Sequence, residues 1–165
     1  MKLLHAVAAG VAGAVLVYLI VFAAGALSSN DADLCLLTGA SLTGRLGGWS
    51  WIIGAAGQLI VATAAAIVYA AIFEWVTRRA GAVIGFIIAL GHVVVAGIAV
   101  GFMPASRLIA DDIAPPGAFM EYRGLLVVAG FILAHLAYGT LVGTLYGRTR
   151  HRPESPAAVW RDVGP

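Results

Sequence analysis

The sequence predicts an all-α fold, an integral membrane bundle of four transmembrane helices, and three observations predict it. First, 61% of the 165 residues are apolar and only 11% are charged, whereas soluble domains carry about 25% charged residues. Second, residues 3–27, 46–73, 80–106 and 124–147 contain no Asp, Glu, Lys or Arg. Each of these runs is long enough for a helix to cross a bilayer, which takes about 20 residues. Third, the 21 glycines and the many alanines are the small residues that let membrane helices approach closely.

The same composition excludes several classes. A net charge of +2 is too small to recruit nucleic acid, and the basic residues gather at the ends of the apolar runs, where membrane topology accounts for them. One cysteine, Cys35, rules out an intramolecular disulfide and a Cys-rich metal site. The chain lacks Gly-x-Ser-x-Gly, His-Glu-x-x-His and a phosphate-binding loop. Little chain is left outside the bilayer for a soluble catalytic domain, so the reading leans away from an enzyme.

Taken in order, the first helix spans about residues 4–27 and is rich in Ala, Val and Gly. Lys2 and Ala24-Gly25-Ala26 have the look of a signal peptide. The apolar run far exceeds the usual h-region of about 7–15 residues, so a retained anchor is expected. Gly10 and Gly13 are expected to admit a neighbouring helix. Residues 28–46 read as a polar loop. The second helix, about 47–74, begins with Trp49 and Trp51 and ends near Trp75, an aromatic residue at each interface. Glu74 and Arg78 are four apart, the spacing of a helix-end ion pair. The third helix, about 80–103, stops at Pro104. A second loop, 104–123, carries Asp111, Asp112 and Glu121 without the ordered spacing of a cation site. The fourth helix is 124–147. Residues 1–147 thus form one transmembrane domain, and 148–165 a polar cytoplasmic tail.

Charge sets the orientation. Lys2, Arg78, Arg79, Arg148, Arg150 and Arg152 lie on one side, and the acidic loops lie on the other. Basic residues flank cytoplasmic ends, so both termini are expected inside, in a bacterial plasma membrane.

A weak internal repeat is also present. With Gln58 set beneath His135, Ala62 falls under Gly139, Ala66 under Gly143 and Tyr69 under Tyr146. Two parallel copies of a helix hairpin would produce this pattern.

Gln58, His92 and His135 are the ionisable or amide side chains well inside the spans, with Tyr138 one turn from His135. At 1.5 Å per residue, both histidines lie roughly 17 Å deep, near the bilayer midplane. Groups at that depth face the bundle interior. Three readings follow. The histidines serve helix packing in a non-enzymatic protein. Alternatively, His92 and His135 bind a cofactor, as axial ligands of haem b or as hydrogen-bond partners of a quinone, with glycines leaving room for a flat ring. A third possibility is that the polar groups line the path of a small transporter or channel component. The expected partner is the lipid bilayer, with a homo-oligomer or a membrane-complex subunit as further forms.

The stretch His135-Leu-Ala-Tyr138-Gly139, continuing through Gly143 to Tyr146-Gly147, resembles a late helix of small, uncharacterised four-helix bacterial membrane proteins. That helix reads His-x-x-Tyr/Phe-Gly-x-x-x-Gly-x-x-Tyr-Gly. The resemblance covers one helix and implies no activity, substrate or cofactor.

Overall fold

The computed structural model describes residues 1–30, 32–103, 115–147 and 149. Every element of regular structure among these residues is helical. Helix α1 is Leu3–Leu27, α2 is Leu34–Thr43, α3 is Gly48–Ala71, α4 is Ala82–Gly101 and α5 is Leu125–Tyr146. Helix α3 runs on into a π-helical segment, Ile72–Thr77, and a short turn, Ala118–Arg123, precedes α5. Four helices are long and apolar enough to cross a membrane: α1, α3 with its π-helical end, α4 and α5. The bounds expected from the sequence agree with α1, α4 and α5 to within two residues.

The packing is inverted relative to a soluble domain. Alanines such as Ala6, Ala9, Ala66, Ala70, Ala89 and Ala134 form much of the interior, while Leu4, Phe102 and Leu125 stand about four-fifths exposed. In water this would be a large aggregation-prone surface. In lipid, association rests on close packing, which small residues favour, and large apolar side chains face a solvent as apolar as themselves.

Close packing is sharpest between α4 and α5. A Cβ on Gly85 would run into the Gly139 carbonyl, and one on Gly143 into the Gly81 carbonyl. The glycines that follow His135 therefore receive the backbone of α4. They do not leave open space for a ring, as the sequence suggested they would. Gly10 admits the Cα of Thr63, which brings α1 onto α3, and Gly13 faces the ring of Tyr138. Helix α5 packs on both α1 and α4, and α1 packs on α3. Between α3 and α4 the contact is made by side chains, Tyr69 against His92.

Helix α2 replaces the irregular first loop expected from the sequence. Asp33 caps it, accepting a hydrogen bond from the Leu36 N–H at 2.9 Å, and Gly44 ends it with φ +67°. At ten residues it is too short to cross a bilayer. It folds back along α3, where Gly39 and Gly54 bring the two backbones together. Leu34 and Leu37 then join Val21, Val100, Met120, Val127 and Phe131 in a core that closes the loop end of the bundle. The Ala118–Arg123 turn completes this plug. Phe119 and Met120 both take left-handed φ values, +53° and +64°, an arrangement that tertiary packing must hold in place. Met120 is fully buried, and the Phe119 ring fills the notch at Gly97. Asp111 and Asp112, and residues 150–165 of the tail, lie outside the described residues.

Candidate functional site

Two polar layers sit inside the bundle. The first lies near the middle of the long helices, His92 in α4 and His135 in α5. The inward face of α5 runs through Val127, Phe131, Ala134, Tyr138, Val142 and Tyr146, all buried, at the three- and four-residue spacing of one helix face. His135 is one residue off this face, so it points sideways toward α4 and meets His92. The two imidazole centroids are 5.4 Å apart, edge to face. Tyr138 lies 5.4 Å from His92 and 5.9 Å from Tyr69, and Phe131 lies 4.2 Å from His135.

Each histidine commits its Nδ1. That of His135 is 2.8 Å from the Phe131 carbonyl one turn back in its own helix. A carbonyl only accepts, so Nδ1 carries the proton and Nε2 presents a lone pair. The Tyr69 hydroxyl is 3.2 Å from the His92 Nδ1. Either group can donate in this contact: donation by the phenol puts the ring proton of His92 on Nε2, and donation by Nδ1–H leaves Nε2 with a lone pair. The Tyr138 hydroxyl donates across the bundle to the Ala62 carbonyl. Gln58 donates to the Thr38 hydroxyl at 2.7 Å, tying α3 to α2.

Gln58, His92, His135 and Tyr138 all line one cavity of about 260 Å³. It lies between α3 and α4, backed by α1, α5 and the start of α2. Its inner end is polar and its outer end, at Leu34, Val100 and Met103, is apolar. From His92 to Met103 is eleven residues, so the slot extends roughly 16 Å toward the loop end.

The second layer lies at the end where α1 begins and α5 finishes. Glu74 is 1% exposed. Its carboxylate accepts a 2.6 Å hydrogen bond from the Tyr146 hydroxyl, which in turn accepts from the Lys2 backbone N–H at 2.9 Å. The Met1 ammonium is 3.9 Å from the same carboxylate oxygen. Phe73 covers the group, its ring 5.5 Å from that of Tyr146. The surface pair with Arg78 expected from spacing does not form: Arg78 is exposed and sits at φ +51°, where it ends the helix. The signal for burial was nonetheless in the sequence. Ala66, Tyr69, Ala70, Phe73 and Glu74 fall at i, i+3, i+4, i+7 and i+8, one continuous face.

Among the described residues no group of His, Cys, Asp and Glu is placed to hold a metal ion. Two imidazoles serving one haem lie on opposite faces of the macrocycle, whereas these two rings touch. Their mutual contact leaves no plane between them for a porphyrin. Cys35, in the first turn of α2, is buried, and burial, reinforced by the nearby Asp33 carboxylate, pushes its thiol up to about 11. A thiol so protonated is a poor nucleophile.

Fold and site together define a multi-pass α-helical membrane protein with a polar-floored cavity inside its bundle. The chain matches no known family, and neither the curated proteins nor the solved structures contain a significant relative of it.

Proposed function

We propose that the chain is a non-enzymatic, multi-pass protein of a bacterial plasma membrane whose midplane histidines, tyrosines and glutamine serve helix packing. One observation carries this reading. The polar side chains at the midplane tie separate helices together: Gln58 joins α3 to α2, Tyr69 joins α3 to α4 through His92, and Tyr138 joins α5 to α3. Such bonds average about 0.6 kcal/mol each in membrane proteins, enough to set helix order without any chemistry. His135 makes no such bond, its Nδ1 being spent within α5, so His135→Ala yields a folded protein with only a small stability loss, read by unfolding in detergent. Failure to fold would overturn the packing role as stated.

In this reading both termini are cytoplasmic, supported by Lys2, Arg78 and Arg79 at one end of the bundle. An origin by duplication of a helix hairpin is supported by the pairing of α1 with α3 and of α4 with α5. The halves have diverged in one respect: α1 and α5 pack tightly, while α3 and α4, their counterparts across the proposed axis, stand apart. The cavity occupies that gap.

The redox alternative divides into two. Ring contact between His92 and His135 disfavours haem, and the purified protein is expected to show no Soret band. A neutral quinone makes a different demand, which the cavity meets.

A further inference from the structure

We propose that the slot between α3 and α4 is a binding site for a neutral, quinone-class lipid, its ring held at the midplane by His92, His135 and Gln58. The argument starts from polar atoms left over after packing. Each histidine uses Nδ1 within the bundle, and neither Nε2 has a hydrogen-bond partner among the described residues. Gln58 uses its amide N–H, and its Oε1 likewise makes no bond. None of these atoms is sealed away, and all three side chains line the cavity. His135 Nε2 and Gln58 Oε1 are acceptors, and with the Tyr69 phenol donating to its Nδ1, His92 adds one donor, Nε2–H. An unpaired polar atom in a bilayer interior is costly, so three around one cavity specify an occupant that both accepts and donates hydrogen bonds.

Depth decides the class. A phospholipid keeps its charged head at the interface, and its acyl chain would meet these atoms with nothing to offer them. The occupant must carry its polar group to the midplane, so that group is neutral and compact. A quinone carbonyl accepts from His92, and the hydroxyl of the reduced form donates to His135 or Gln58. Volume fits the same class. A space of about 260 Å³ falls just below the range of about 300–1,000 Å³ that encloses a whole drug-sized ligand. It suits one substituted ring, leaving the chain to pass outward. Val61 and Ala99 line the cavity while also facing the exterior, so the mouth lies between α3 and α4 and opens to lipid. The site binds in this proposal; no electron transfer is assigned to it.

The test uses the full chain in lipid nanodiscs, titrated with a decyl-substituted benzoquinone, with tryptophan quenching as the readout. Trp51 lies beside Tyr18, a cavity-lining residue, at 6.1 Å between ring centroids. Saturable quenching is expected in the natural protein. The reduced hydroquinone is titrated beside the quinone, and Gln58→Leu should weaken its binding about fivefold, the value of one ordinary hydrogen bond, while the oxidised form, which has no proton to give Oε1, is held as before. Ala96→Phe should abolish saturation by filling the slot, and Ala65→Leu is a smaller filling change should that variant fail to fold. Neither removes a hydrogen bond of the bundle, so unchanged unfolding temperatures would separate loss of the site from loss of packing. Linear, non-saturating quenching in the natural protein would overturn the proposal. So would saturable quenching that survives both filling variants, or a tightly held phospholipid released by them.

Discussion

At the scale of single residues, the interior polar groups differ in what they would leave behind if removed. Tyr146 donates to a carboxylate that is itself buried, so Tyr146→Phe removes one hydrogen bond from a buried acidic group. Such bonds are worth about 1.5–3 kcal/mol. Tyr138 donates to a backbone carbonyl already engaged in its helix, so Tyr138→Phe should cost only about 0.6 kcal/mol. Unfolding in detergent should rank Tyr146→Phe as clearly the more damaging, and the reverse order would remove Glu74 from any central place in the packing. Cys35 offers a second measurement. A thiol raised from 9.0 to about 11 stays protonated through neutral pH, so alkylation of the folded protein should be slow at pH 8 and accelerate toward pH 11. The sign for stability follows. The unfolded thiol ionises first, so between about pH 9 and 11 the folded state holds the extra proton and loses stability as pH rises. Cys35→Ser should flatten that part of the profile.

At the scale of elements, the glycines sort into those that admit a neighbour and those that do not. Gly85 and Gly139 face each other's backbone across the α4–α5 contact, whereas a Cβ on Gly91 would meet nothing within 4 Å. Gly139→Ala is expected to cost about 1–3 kcal/mol through overpacking. Gly91→Ala should be neutral or slightly stabilising, since alanine favours the helix. Equal effects on thermal unfolding would dissolve this account of the α4–α5 contact. The comparison also explains what the sequence could reveal. Four spans were legible because hydropathy over about 20 residues is a strong signal. Helix α2 was not, since its ten residues, LCLLTGASLT, never form a spanning run. Its ends were nonetheless marked, by Asp33 before an apolar run and Gly44 after it. The Phe119–Met120 reversal had no such mark, because its left-handed residues are ones that rarely adopt that backbone. The inward turn of Glu74 was legible in helix periodicity and was obscured by the competing signal of Arg78 four residues on.

At the scale of the whole molecule, the shared depth of His92 and His135 was readable by counting residues, but their contact depended on helix order, which no local pattern encodes. That order also creates the cavity, because α5 takes the central position against both α1 and α4 and leaves α3 and α4 to diverge. Which membrane leaflet the cavity serves depends on orientation. The slot runs from the midplane toward the loop end, so with cytoplasmic termini it lies in the outer leaflet. The distribution of charge supports this placement, since basic residues resist translocation while acidic ones contribute little. Single cysteines can test it, because Cys35 is buried and contributes little background. Leu46 and Arg79 are exposed at opposite ends of the bundle. In intact cells, a membrane-impermeant maleimide should label Leu46→Cys and leave Arg79→Cys unlabelled until the cells are opened. Labelling of Arg79→Cys from outside would invert the topology and move the cavity to the inner leaflet, without altering its lining.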